Sequence, residues 1–431
     1  MTFPIVALGA SAGGLEALFE FLSARPLPTD MAYVVIQHLD REHKSLLAEL
    51  LAKKTELPVL QIVNDLAVEP GHCYVIPPNV TLTLAGERFQ LTPRLDTAPP
   101  HHPVDIFFQS LAAARADAAI GVVLSGGDSD GALGVQALKH GGGITFAQEP
   151  TSTRFPGMPQ SAINTGCVDY VLRPFEIGRE IERLSRHPYL QSGDLSQGGE
   201  VSAPQPLTED VEGAYKRVFR RLRAAHGVDF SHYKRNTLQR RLARRMAVRQ
   251  IGEISDYVAL LEEDSAEAAA LYQDFLIRVT GFFRDPESFE YLRARIFPHL
   301  CEGRSPQEPI RIWVPGCASG EEAYSIAITL VEYLDERFPA ARIQIFGTDV
   351  SEAAIDKARA GVYLENILEE VTSERLARFF VKENGHYHIA KSIRDLCIFS
   401  HHDVTRDPPF SRLDLVSCRN LSISIPLPSG A

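Results

Sequence analysis

The chain has 431 residues, 45% of them hydrophobic and 23% charged, and a formal net charge of −11. That length calls for two or three domains, and the acidic balance argues against general nucleic-acid binding. No apolar run is long enough to span a bilayer, Met1-Thr2-Phe3-Pro4 carries no export signal, and the six cysteines show no paired spacing; a cytoplasmic protein with reduced thiols, no membrane insertion and no metal site is expected.

The first predicted strand starts at Ile5 and runs into Gly9-Ala10-Ser11-Ala12-Gly13-Gly14, after which Leu15, Leu18, Phe19 and Leu22 recur at helical spacing. A glycine-rich turn between a strand and a helix exposes N–H groups and the positive end of the helix, so it can bind a phosphate or hold an oxyanion. The plainer role for Ser11 is to cap the helix. Further apolar runs at 33–36, 59–63, 120–124 and 144–146 alternate with helical patterns near 44–51, 104–114 and 132–139, which implies a parallel sheet with helices on both faces. Residues 73–91, with their prolines and Ala85-Gly86 turn, read as an inserted hairpin.

Residues 191–210 are rich in Gly, Ser, Pro and Gln and read as a linker. The pattern over 211–300 is helical, and a second strand-and-helix alternation begins at Ile310-Arg311-Ile312-Trp313. The expected class is therefore α/β: a doubly wound parallel-sheet domain over 1–190, the linker, a helical subdomain over 211–300, and a second, Rossmann-like domain over 301–431. Residues 216–249 hold twelve Lys or Arg and one acid, Asp229, a basic face in an acidic protein.

Ligands of a doubly wound sheet sit outside the carboxyl ends of its strands. Ser11 follows the first strand, His38 the second, and Ser125-Gly126-Gly127-Asp128-Ser129-Asp130-Gly131 follows the run 120–124. A hydroxyl, an imidazole and a carboxylate in one crevice make a Ser-His-Asp arrangement. His72, His101 and His102 compete for the base, and Asp105, Asp128 and Asp130 for the acid, with an N-cap as the plain role of Asp130. The His101-His102 pair has no third ligand at metal-binding spacing. Dinucleotide binding fits poorly, because the second strand ends in Gln37-His38 and the nearest acid, Asp40, lies beyond it.

These stretches, with Gln37-His38-Leu39, Ala147-Gln148-Glu149 and Phe155-Pro156-Gly157-Met158-Pro159, resemble the bacterial chemotaxis receptor methylesterases (CheB-like) over nearly all of residues 1–187. The resemblance implies Ser11 as nucleophile, His38 as general base and Asp130 as orienting acid. It also implies hydrolysis of γ-glutamyl methyl esters and deamidation of glutamines on receptors, without a cofactor. Members often carry a phosphorylated receiver domain ahead of the esterase. Here the first strand begins at once, so control by phosphorylation in the same chain is not expected.

In the second half, Val314-Pro315-Gly316-Cys317-Ala318-Ser319-Gly320-Glu321-Glu322 links a strand to a helix. Its small residues permit close approach of a ligand, while its acids favour a cationic or hydroxyl-rich one. Gly347-Thr348-Asp349 ends the next strand with an acid placed for ribose hydroxyls or for a helix cap. These stretches resemble the chemotaxis receptor methyltransferases (CheR-like), together with Tyr233-Lys234-Arg235, Arg240-Arg241-Leu242-Ala243-Arg244-Arg245-Met246, Thr280-Gly281-Phe282-Phe283-Arg284-Asp285, Phe399-Ser400-His401-His402-Asp403-Val404 and Asp414-Leu415-Val416-Ser417-Cys418-Arg419-Asn420-Leu421. That resemblance implies S-adenosylmethionine as cofactor, with Thr280, Arg284, Glu322, Asp349, Asp403 and Asn420 as its contacts. It also implies that the basic helix faces the acidic methylation helices of receptor-like proteins.

After Asn420-Leu421 the likeness fails: Ser424 stands where the family has a tyrosine, and Pro426 and Pro428 prevent the expected helix. A shortened sheet and an impaired transferase half are therefore expected. The competing expectation is a noncatalytic scaffold that docks receptors through the basic helical region.

Overall fold

The computed structural model describes residues 3–24, 26–38, 46–94, 102–191, 209–276, 280–305, 308–335, 342–364, 367–368, 370–383 and 385–419. The chain divides into two compact units, Met1–Arg221 with Leu238–Phe275, and Leu222–Thr237 with Leu276–Ala431.

The first unit is built on a seven-stranded parallel sheet in the order β3-β4-β2-β1-β7-β8-β9. Its strands are β1 (Ile5–Ala10), β2 (Ala32–Gln37), β3 (Val59–Gln61), β4 (Cys73–Val75), β7 (Ala119–Val123), β8 (Ile144–Gln148) and β9 (Tyr170–Leu172); β5 (Val80–Ala85) and β6 (Arg88–Pro93) form a separate antiparallel hairpin. The expected hairpin over 73–91 is thus corrected. Cys73–Val75 joins the main sheet between β2 and β3, and the hairpin begins at Val80. β1 is buried along its whole length, as a strand covered on both faces must be, which explains its unbroken apolar run.

One face of the sheet carries α1 (Gly14–Leu22), α2 (Leu47–Ala52) and α6 (Pro174–Ser185), with Phe21, Leu51, Ile177 and Leu184 in one apolar cluster. The other carries α3 (Pro103–Arg115), α4 (Ala132–Gly141) and α5 (Gly157–Asn164), packed through Phe107, Phe108, Leu138 and Met158. β1 has β2 on one side and β7 on the other, so the strand order reverses there and opens a crevice at the carboxyl ends.

The helices that follow are α7 (Pro188–Gln191), α8 (Glu209–His226), α9 (Arg235–Val248), α10 (Ile254–Glu263) and α11 (Ser265–Phe275). Residues Leu238–Phe275, with α10, α11 and most of α9, belong to the first unit. Ala247 and Val248 of α9 enter the same cluster as Phe21 and Ile177, and the Tyr170 hydroxyl donates to the Val248 carbonyl. The expectation that the arginines of α9 face a receptor is corrected here: Arg241, Arg244 and Arg245 are buried within the first unit. Arg244 bonds Asp169 and Asp274, and Arg245 bonds Glu267. Burial raises the Asp169 pKa, but the Arg244 and Lys139 charges outweigh it and hold that carboxyl below the usual range. On α8, by contrast, Lys216, Arg217 and Arg220 are exposed.

In the second unit, β10 (Ile310–Pro315), β11 (Ile343–Asp349), β15 (Cys397–His401) and β16 (Leu415–Val416) form a parallel sheet in the order β15-β11-β10-β16. Short helices α12 (Pro286–Tyr291) and α13 (Phe297–Cys301) precede it, and α14 (Glu321–Asp335) and α15 (Glu352–Ala360) follow its first two strands. Ile312, Ile326 and Ile345 lie at the core. A three-stranded antiparallel sheet, β12 (Val362–Leu364), β14 (His386–Ile389) and β13 (Phe380–Glu383), is inserted before β15. The linker residues 192–208 and the expected break after Asn420 fall outside the described residues. Among those that are described, no helix is long and apolar enough to cross a membrane.

Candidate active site

Ala10 and Gln37 are the last paired residues of β1 and β2, so Ser11 and His38 leave the sheet side by side, with the His38 amide donating to the Ala10 carbonyl (3.2 Å). Ser11 does not cap α1. The N-cap is Gly13, in the left-handed region at φ 71°, and no side chain caps the helix. A Cβ at Gly13 would also stand 2.7 Å from Ser125 Oγ and 3.0 Å from the Phe155 ring, so only glycine fits this turn.

The Ser11 loop is stitched to its neighbours. The Ser11 amide donates to the Ser125 carbonyl (2.9 Å), and Ser125 Oγ donates to the Ala12 carbonyl (2.7 Å) beside Thr153 Oγ1 (2.7 Å). The Gly126 amide donates to the Phe155 carbonyl (3.0 Å), which sets the 43% exposed Phe155 ring at the lip of the crevice beside Gly13.

Asp130 Oδ2 accepts from His38 Nε2 at 2.7 Å, and the carboxylate is fully buried. The same carboxylate accepts the Val104 amide (3.0 Å) and the Asp105 amide (2.8 Å) at the start of α3. Asp130 therefore caps the neighbouring helix rather than α4, whose N-cap is Gly131. Asp105 returns the arrangement: its Oδ1 accepts the Gly134 amide in the first turn of α4 (2.7 Å). The two helices cap each other, and their N-terminal dipoles favour negative charge where Asp130 sits.

Among the competing groups, His72 is engaged with the Pro70 carbonyl (2.9 Å) and His101 lies outside the described residues. Ligand atoms of His102, Asp105 and Asp130 come within 4.8 Å of one another. Both carboxylates of that group accept helix amides.

With Nε2 donating to Asp130, His38 keeps its lone pair on Nδ1, the atom that can take a serine proton. Asp128 Oδ2 lies 3.5 Å from Nδ1 and is 44% exposed. Burial lowers the His38 pKa, but the bond to Asp130 and the charges of Asp130 and Asp128 outweigh it together with Arg94, and the net direction is upward. The stabilisation from this shift is complete below the unfolded pKa of about 6.5 and is lost as pH rises through the higher folded value. A histidine acting as a base must be neutral, so an activity that used His38 in that role would rise over the same window.

Asp128→Asn should therefore move the acid limb of kcat/KM to lower pH and raise activity near pH 6 about two- to threefold. The shift is modest because the pair is exposed, and it should shrink at high salt. An upward shift in a pH–rate profile would contradict this role for Asp128.

In the second unit the loop after β10 passes through left-handed conformations at Gly316, Ala318 and Gly320 (φ 68°, 46° and 95°), a strained turn that brings backbone close to the strand ends. Asp349, last in β11, accepts the Ala318 amide (2.9 Å) and the Ser351 amide (2.8 Å). It does not cap α15; the Ser351 side chain does. Glu322 Oε1 accepts from Ser417 Oγ (2.6 Å), and burial raises its pKa against the opposing effects of Ser417, Arg419 and Arg284.

The sequence reading missed Glu321. Burial raises its carboxyl pKa, opposed by the Ser319 and Thr280 hydroxyls. Its Oε1 accepts from Ser319 Oγ (2.8 Å), while Oε2 is buried without a well-formed hydrogen bond among the described residues. The only signal for it was the doubled Glu321-Glu322. Asp403 is turned inward on Thr405, whose amide (2.9 Å) and hydroxyl (2.6 Å) it accepts. Arg284 is exposed, and Asn420 lies outside the described residues.

Three family models match the chain: CheB methylesterase over residues 6–181, the all-alpha domain of CheR methyltransferase over 213–276, and its SAM binding domain over 278–428. A 104.1 kDa uncharacterized protein of Rhodobacter capsulatus is 37% identical over 88% of this chain, which spans 41% of that protein's length. A protein-glutamate methylesterase/protein-glutamine glutaminase of Pectobacterium atrosepticum is 35% identical over 41% of this chain and 51% of its own length. A chemotaxis protein methyltransferase of Borreliella burgdorferi is 28% identical over 46% of this chain and 72% of its own. The crystal structure of the Thermotoga maritima CheB methylesterase catalytic domain matches at 28% identity and a TM-score of 0.38, over 43% of this chain and 100% of that one.

Proposed function

We propose, since this chain belongs to the CheB methylesterase and CheR methyltransferase families, that it hydrolyses glutamate γ-methyl esters on chemoreceptor-like proteins with Ser11, His38 and Asp130, and that its second half binds S-adenosylmethionine to methylate such glutamates. The observation that carries the esterase reading is the hydrogen bond of His38 to the buried Asp130 beside Ser11, where the strand order reverses.

In this reading His38 Nδ1 takes the Ser11 proton as Oγ attacks the ester carbonyl, and N–H groups at the start of α1 receive the oxyanion. Methanol leaves with that proton, water attacks the acyl-enzyme with His38 again as base, and the γ-carboxylate is released. A γ-amide in place of the ester would give ammonia, the glutaminase reaction. The exposed Lys216, Arg217 and Arg220 supply positive charge for the acidic methylation helices.

The residues of the second half fit the sulfonium cofactor. Asp349 can accept ribose hydroxyls, the buried Glu321 oxygen suits an ammonium group, and the loop 316–320 permits close approach. Thr280, Arg284, Glu322 and Asp403 complete the proposed contacts. The bound cofactor would supply the methyl group.

The test is incubation of the purified chain with receptor methyl-labelled on glutamate. Release of labelled methanol supports the esterase reading, and its absence under conditions that leave the chain folded overturns it. Calorimetry with S-adenosylhomocysteine tests the second pocket in the same way.

A further inference from the structure

The acid proposed to orient His38 stands immediately before the N-cap of α4, and α4 is held at both ends. At its start, Gly134 is tied to Asp105, whose own amide bonds Asp130. A Cβ on Gly134 would stand 2.4 Å from Phe108 Cβ, so α3 and α4 meet as closely as a glycine permits. Neither helix can slide without breaking the links that hold Asp130.

At its far end, α4 is met by α9. Arg241 Nη1 donates to the Lys139 carbonyl (2.8 Å) and Nη2 to the His140 carbonyl. Arg244 Nε donates to the Gly143 carbonyl (2.9 Å), while its Nη atoms bond Asp169 and Asp274. Both arginines are buried. A helix C-terminus presents unsatisfied carbonyls and partial negative charge, and two buried guanidinium groups are its complement. The carboxylates of Asp169 and Asp274 offset the desolvation of Arg244. These arginines lie in the stretch matched by the transferase family's all-alpha domain, whereas α4 lies in the stretch matched by the methylesterase family.

We propose that Arg241 and Arg244 are positioning residues of the esterase: by gripping the C-terminal end of α4, the helical part of the transferase holds Asp130 against His38 at the other end. A packed helix with a continuous hydrogen-bond ladder carries a displacement from one end to the other, and the close α3–α4 contact leaves no slack. The two enzyme families are thereby coupled through one helix. This inference rests on the esterase reading above.

The test uses the full chain with Arg241→Gln, Arg241→Lys and, as a control, Tyr257→Phe, whose hydroxyl donates to Glu267 Oε1 (2.5 Å) in the same helical bundle without touching α4. Methanol release, melting temperature and the His38 titration by NMR are measured for each. The groups facing His38 are Asp130, Asp128 and Arg94; those around the arginine pair include Asp169, Asp274, Lys139, Tyr189, Arg240 and Arg245.

Arg241→Gln should lower kcat about three- to tenfold with KM nearly unchanged, and move the His38 midpoint down toward its ordinary value. Arg241→Lys should recover part of both, and Tyr257→Phe should lower the melting temperature while leaving both at wild type. If Arg241→Gln lowers only the melting temperature, the proposal is overturned. The His38 midpoint does not depend on turnover, so it decides this question even if the wild-type chain releases no methanol and the esterase reading itself fails.

Discussion

Ser11→Ala is expected to cut methanol release by about 10⁴-fold or more and leave the fold intact. The two parts of this expectation have separate grounds. A nucleophile cannot be replaced by the neighbouring groups, so what survives is catalysis by the oxyanion site and by binding alone. Stability should hold because the Ser11 side chain caps nothing: Gly13 is the N-cap of α1, and the Ser11 links to Ser125 and Gly14 run through backbone atoms. Kinetics of methanol release and a melting curve check both. A loss below tenfold would remove Ser11 from the chemistry.

Asp130→Asn should be nearly as damaging to turnover, about 10⁴-fold in kcat, and should also lower stability. The carboxylate accepts three donors, the Val104 and Asp105 amides and His38 Nε2, through two oxygens. An asparagine has one acceptor oxygen and a donating NH₂. If the oxygen stays with His38 and Val104, the NH₂ confronts the Asp105 N–H. If it turns, the NH₂ faces His38 Nε2 and favours the tautomer with its proton on Nδ1, which cannot accept from Ser11. Either way a buried donor is left unpaired, at a cost of about 1–3 kcal/mol. A normal kcat with only a lowered melting temperature would assign Asp130 to the helix cap alone.

Much of the first site was legible because its signals are local. The apolar run of β1, the glycine turn and the Gln37-His38 ending each sit within a few residues, and the switch-point rule joins them. Distance in sequence hid the rest. The exchange of caps between Asp105 and Asp130 spans about 25 residues and needs the packing of α3 on α4 to exist. Arg241 and Arg244 meet α4 across more than 100 positions, so a run of arginines read as a solvent-facing partner surface when it is buried. β4 has three residues, too few for any periodicity, and its place in the sheet could not be told from a hairpin arm. In the second unit, Asp349 was visible as the acid ending a strand, but Glu321 was masked by its identical neighbour, and what separates the two is the buried Glu321 oxygen without a well-formed hydrogen bond.

The central claim is that Ser11 carries the acyl group in ester hydrolysis, and a single-turnover trap tests it most directly. The chain is mixed with a methyl-esterified receptor peptide, quenched in acid within the first turnover, digested and mapped by mass spectrometry. The predicted result is the peptide acyl group on Ser11, formed in step with methanol and lost as the free glutamate appears. Methanol release with the adduct on another residue, or with none at any time point, would contradict it.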